Sequence, residues 1–143
     1  MKTFNEITEL VSAEIEKLDW AKQPAGLYEP IGYVLALGGK RIRPALTLMA
    51  CELFSDDLRL AIAPALGLEV FHNFTLLHDD IMDKSPLRRG MPSVHTKWDT
   101  NTAILSGDTM FVVAYEYVTK THPDYLVEIL QIFNQTAREV CEG

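Results

Sequence analysis

Phe71-His72-Asn73-Phe74-Thr75-Leu76-Leu77-His78-Asp79-Asp80-Ile81-Met82-Asp83 reads as the second half of a long helix that begins near Leu58. Its apolar residues are dense, as in a helix covered on most sides. Asp79, Asp80 and Asp83 crowd its end, and Ser85-Pro86 stops it just beyond. A helix C-terminus carries partial negative charge, so carboxylates there repel the helix end and one another. In a central helix that repulsion calls for a cation. At about 100° per residue, Asp83 lies about 40° round from Asp79, and His72 about 20° to the other side. His72, Asp79 and Asp83 therefore share a stripe, with Asp80 at its edge. Oxygen ligands of this kind suit Mg²⁺ better than Zn²⁺. Three acids on a solvated helix are the plain alternative.

Working outward, Gly38-Gly39-Lys40-Arg41-Ile42-Arg43-Pro44 sets three cations between one helix end and the next helix start. Glycine allows close backbone approach, a helix N-terminus favours anions, and an Arg fork fits phosphate oxygens. A solvated basic turn is the plain alternative. Arg88 and Arg89 follow the acidic helix end. They neutralise Asp83 or hold an anion beside a metal. Carboxylates for Mg²⁺ with two separate basic groups suit two phosphorylated substrates, and apolar residues of the same helix would line a cavity beneath.

The rest of the chain supplies the setting. Helices are expected at 3–19, 28–37, 45–54, 58–84, 102–120 and 125–141, with a helical turn at 93–98. Pro24 and Gly26 break the first interval, and Asp99 caps the helix from 102. Pro64 marks a kink or the true start of the long helix. No period-2 strand stands out, so residues 1–143 are expected to form a single all-α domain. The chain has 143 residues, 48% of them hydrophobic and 23% charged, an ordinary globular balance. Its net charge of −7 argues against a nucleic-acid surface. Cys51 and Cys141 lack metal-ligand spacing. A reducing, cytoplasmic setting is expected, without a secretory leader or a transmembrane segment.

On these motifs the chain resembles the N-terminal half of trans-type polyprenyl diphosphate synthases, the farnesyl and geranylgeranyl diphosphate synthase family. The resemblance rests on Gly38 to Pro44, Phe71 to Asp83, Leu87-Arg88-Arg89-Gly90-Met91-Pro92-Ser93-Val94-His95 and Ile104-Leu105-Ser106-Gly107-Asp108. It implies an antiparallel helical bundle of the isoprenoid synthase type. It also implies condensation of isopentenyl diphosphate with an allylic prenyl diphosphate, in isoprenoid biosynthesis. Asp79, Asp80 and Asp83 match the first aspartate-rich motif, with Mg²⁺ as cofactor. Gly39, Lys40, Arg43, His72 and Arg89 match the isopentenyl diphosphate site, and Arg88 the allylic diphosphate contact. Asp79, Asp83 and Arg88 are the catalytic candidates. Phe74, five residues before Asp79, matches a chain-length position, although the helical wheel brings Thr75 nearer.

A second aspartate-rich motif and a further lysine belong to a half of the family pattern with no counterpart here. A truncated chain, inactive alone, is the expectation. The resemblance implies a homodimer or larger self-association; residues 104–118 are apolar enough to supply such a face and equally suit the core. Two alternatives remain: a non-catalytic diphosphate-binding subunit, and a metal phosphohydrolase built on His78-Asp79.

Overall fold

A computed structural model describes residues 2–143. Seven helices account for most of them: α1 (Phe4–Glu16), α2 (Ala25–Ala36), α3 (Ile42–Glu52), α4 (Arg59–Met82), α5 (Val94–Lys97), α6 (Thr100–Val118) and α7 (Pro123–Glu142). A hairpin of two-residue strands, β1 (Leu87–Arg88) and β2 (Met91–Pro92), joins α4 to α5. The sequence pattern does not suggest it, because two residues are too few to show alternation. Its turn is made by Arg89 and Gly90, both at positive φ, the backbone that tight hairpins favour. Buried Ser93 closes it by donating its hydroxyl to the Ser85 carbonyl.

Local chemistry explains most helix ends. Thr3 and Glu6 form a reciprocal cap on α1, and Ile7, Val11 and Ile15 then bury one stripe. Asp99 accepts from the Thr102 amide at the start of α6, as expected. Asp57 accepts from the Arg59 amide at the start of α4. Two helices begin three residues earlier than their patterns predict. α2 starts at Ala25, directly after Pro24. α3 starts at Ile42, with Pro44 in its first turn, where no N–H is needed. Pro64 likewise falls early in α4, which runs on as one helix through it.

α4 is the central helix and packs chiefly against α6 and α3. It is long and apolar enough to cross a membrane on length and composition alone, which no uninterrupted apolar run suggests. In this fold Ala65, Leu66, Val70, Phe71 and Leu77 are buried against neighbouring helices. Glycines bring α4 and α6 together. A β-carbon on Gly67 would lie 2.8 Å from the Ala114 carbonyl oxygen, and one on Gly107 would overlap the His78 ring. At about 100° per residue, Gly67, Phe74 and His78 fall within about 40° of each other on the α6 side. The stripe of His72, Asp79 and Asp83 is about 100–140° round from His78. The α4–α6 seam therefore fixes which way the acidic stripe faces.

α7 joins through an aromatic cluster. Phe133 stacks edge-on against Phe71 and Tyr115, with ring centroids 5.2 and 5.0 Å apart. Tyr125, Val127, Ile132 and Val140 stay exposed on it.

Candidate diphosphate and metal site

The basic loop comes first. Gly38 and Gly39 take φ values of +79° and +146°, and Arg41 one of 50°. This left-handed passage separates the three cations. Arg41 turns inward, where it pairs with Glu69 at 2.5 Å and donates to the Leu35 carbonyl at 2.8 Å. Lys40 and Arg43 stay exposed. Lys40 has no ion pair or hydrogen bond among the described residues.

Arg43 reaches across to α4, its Nη1 lying 3.3 Å from His72 Nε2. Burial and the neighbouring Arg43, Arg89 and Arg88 guanidiniums hold the His72 imidazole below its ordinary pKa, against a smaller opposing pull from Glu69. Neutral His72 accepts from Arg43 through Nε2 and keeps its proton on Nδ1. So His72 joins the basic group, although the wheel puts it in line with Asp79.

Arg89 completes that group. The hairpin turn carries it over Gly39, and its Nη2 would lie 2.8 Å from a β-carbon placed there. A side chain at Gly39 would displace the guanidinium, and the φ of +146° also disfavours one there. Burial and Arg41 lower the Arg89 pKa, while Glu69 raises it. Gly39, Lys40, Arg43, His72 and Arg89 thus come from the α2–α3 loop, α3, α4 and the hairpin.

The acidic end of α4 divides differently from the simple stripe. Asp80, expected among the metal ligands, is 3% exposed. Arg88 holds both its oxygens, Nη2 to Oδ1 at 2.6 Å and Nε to Oδ2 at 3.1 Å. This is the planar two-point pairing that Arg and carboxylate favour. Asp80 is thereby committed to Arg88, unlike Asp79 and Asp83. Its hydrogen bond, then the charges of Asp79 and Asp83, hold Arg88 firmly protonated. Asp79 and Asp83 have no hydrogen bond or ion pair through their side chains among the described residues. No three metal-ligating side chains converge among those residues. Two free carboxylates one helical turn apart do fit Mg²⁺, which commonly takes one or two and completes its shell with water and phosphate.

His78 turns away from Asp79. Its Nε2 lies 3.2 Å from the Ile104 carbonyl, and its ring stacks on Phe74 at 4.8 Å. Its engagement with α6 takes it out of a His78-Asp79 metal pair and disfavours the phosphohydrolase reading.

An apolar cleft of about 860 Å³ opens between α3, α4 and α7. From α4 it is lined by Leu60, Ala61, Pro64, Leu68 and Phe71. Phe74 and Thr75 lie outside that lining. Phe74 packs between Phe71 and Phe111, at 5.5 and 5.3 Å. Thr75 donates its hydroxyl to the His72 carbonyl.

Sequence reasoning missed the inward pairing of Arg41 with Glu69. The available signal was Glu69 itself, a charge amid an apolar helix that needs a buried partner.

The helical bundle thus presents one basic and one acidic cluster of side chains, and comparison places it in a family. The Polyprenyl synthetase family model matches residues 24–143. The chain belongs to the polyprenyl synthetase family. It is 42% identical to a geranylgeranyl diphosphate synthase of Methanosarcina mazei, over 93% of this chain and 42% of that protein. It is also 42% identical to the small subunit of a heterodimeric geranylgeranyl pyrophosphate synthase of Arabidopsis thaliana, over 93% of this chain and 44% of that one. A crystal structure of a geranylgeranyl pyrophosphate synthase superposes with a TM-score of 0.94 at 47% identity, covering 99% of this chain and 43% of that chain. The corresponding synthetase of Geoglobus acetivorans gives 0.92 at 39% identity, covering 99% and 47%. The chain thus spans less than half the length of these relatives.

Proposed function

We propose that this chain supplies the isopentenyl diphosphate site and the first metal-binding carboxylates of a prenyltransferase. The reaction joins isopentenyl diphosphate to an allylic prenyl diphosphate. The observation that carries this is the separation of charge. Among the described residues, Lys40, Arg43 and Arg89 stand without carboxylate partners on one side, and Asp79 and Asp83 without cationic ones on the other. Lys40, Arg43 and Arg89 would bind the isopentenyl diphosphate, with the Nδ1 proton of neutral His72 as a further donor. Arg88 and the carboxylates of Asp79 and Asp83 would address the allylic diphosphate.

The chemistry follows from that placement. Mg²⁺ bound by Asp79 and Asp83 would lower the energy of the departing diphosphate. Arg88 adds fixed positive charge where negative charge develops. The allylic C–O bond breaks, and its electron pair leaves with the diphosphate. The double bond of isopentenyl diphosphate attacks the allylic carbon, and loss of a proton restores a double bond. The product is five carbons longer. Apolar helix faces keep water from the cation. Phe74 and Thr75 are proposed to limit chain length from the α4 wall, with Phe71 beneath them at the cleft. In a complete enzyme, Phe74→Ala should lengthen the products; an unchanged product distribution removes Phe74 from that role.

A relative named as the small subunit of a heterodimeric synthase favours a second reading, a diphosphate-binding subunit without turnover of its own. Ile104, Leu105 and Val112 are exposed along α6 and are proposed to supply a self-association face, which sedimentation would detect. Calorimetry with isopentenyl diphosphate and radiolabel transfer to an allylic acceptor with Mg²⁺ test the main proposal on the 143-residue chain. Binding without transfer is expected. Absence of binding removes the isopentenyl diphosphate site. Transfer at roughly 0.1–1 s⁻¹ or faster, within or near the usual enzyme range, would make this chain a catalyst by itself.

A further inference from the structure

Arg41, Glu69 and Asn73 form a polar group inside the protein, behind the exposed basic cluster. All three are buried. Arg41 bridges two anchors, the Glu69 carboxylate on α4 and the Leu35 carbonyl at the end of α2. Asn73 gives its amide hydrogens to the carbonyl and carboxylate of Glu69. Its Oδ1 is buried with no partner among the described residues. Arg41 also holds a left-handed backbone, a conformation that a β-carbon disfavours and that persists where the surroundings impose it. The neighbouring cations behave differently: Lys40, just before Arg41, and Arg43, two residues after it, are both exposed.

We infer that Arg41 and Glu69 are positioning residues for diphosphate. Their pair ties the loop to α2 and α4 at once, which holds Lys40 outward, places Arg43 against His72 and keeps Gly39 beneath Arg89. Arg41 itself binds no phosphate. Asn73 sets the Glu69 carboxylate. This rests on the proposed diphosphate site and adds how that site is held open before a ligand arrives.

The double substitution Arg41→Met with Glu69→Leu tests it. A buried ion pair replaced by apolar residues often leaves stability unchanged. The exchange also leaves net charge unchanged, so a change in affinity reports geometry. Calorimetry with inorganic diphosphate on the 143-residue chain should show affinity at least about tenfold lower, with helical circular dichroism retained. Arg41→Lys decides the matter if the double variant fails to fold. It keeps the charge but cannot span both anchors, so affinity should fall as well. A directly ligating Arg41 would instead tolerate lysine. Wild-type affinity in the folded double variant or, failing that, in Arg41→Lys overturns the positioning role alone. Absence of diphosphate binding by the unsubstituted chain overturns this inference and the proposed site together.

Discussion

In the basic loop the middle cation, Arg41, turns inward to Glu69, whereas at the acidic end of α4 the middle anion, Asp80, turns inward to Arg88. Each charged motif therefore keeps one member inside and presents the others. The two internal pairs differ in access. Arg41 and Glu69 have side-chain exposures of 7% and 4%; Asp80 is at 4%, but Arg88 reaches 28%. A sealed pair is scaffold. A pair with one open partner is a contact that an incoming diphosphate can compete for. On the positioning inference the basic loop is held in advance, whereas the acidic end keeps a part-exposed arginine.

Glu69→Ala should have the largest effect, because it leaves Arg41 buried and unpaired. Breaking a buried pair in this way costs about 3–5 kcal/mol. Asp80→Ala should cost less, about 1.5–3 kcal/mol, since Arg88 can turn to water. Urea denaturation of both variants ranks them, and equal losses would erase the distinction between sealed and open pairs.

Arg43→Ala acts on a presented charge. It should remove a charge-assisted contact of about 1.5–3 kcal/mol, at least a tenfold loss of isopentenyl diphosphate affinity, with a smaller effect on an allylic diphosphate. Equal weakening of both would count against separate sites.

The acidic end is tested with Mn²⁺ as a paramagnetic probe in the presence of diphosphate. Asp79→Asn should weaken binding by about tenfold, on the order of 1.4 kcal/mol. Asp80→Asn should weaken it less. The reverse order would return Asp80 to the metal.

The smallest effect concerns pH. Burial and neighbouring cations hold His72 below the ordinary histidine value of 6.5, so the folded state favours neutral imidazole. Its contribution to stability is fully present above the unfolded value and is lost as pH falls from there through the lower folded one. A bound diphosphate would raise the His72 pKa, so its binding should take up a proton and strengthen as pH falls toward that range. His72→Gln should flatten this component, read as the difference between the two pH profiles. Identical profiles would take His72 out of the anion site.

Much of this was legible in residue order. Apolar spacing revealed the helices, and Asp99 and Pro44 marked helix starts by local bonding. The resemblance of Gly38 to Pro44 and Phe71 to Asp83 pointed to the family that comparison then showed. These features are local, since caps, periodicity and charge runs act within a turn or two of chain. The hairpin escaped because two-residue strands have no pattern to read. The wheel set Asp80 at the edge of the stripe, but its pairing with Arg88 escaped because a wheel does not say where the hairpin lies.

The sequence by itself determined the helical class, the two charged motifs and the reagents they suit. Tertiary structure alone decided which charges face inward and which remain for a ligand. It set the left-handed backbone at Arg41, the placement of Arg89 over Gly39 and the removal of His78 to the α6 seam. The physical reason is distance along the chain: Arg41 and Glu69 are 28 residues apart, and His78 and Ile104 are 26 apart. Their meeting depends on how closely α4 approaches its neighbours, which packing at residues such as Gly67 and Gly107 determines.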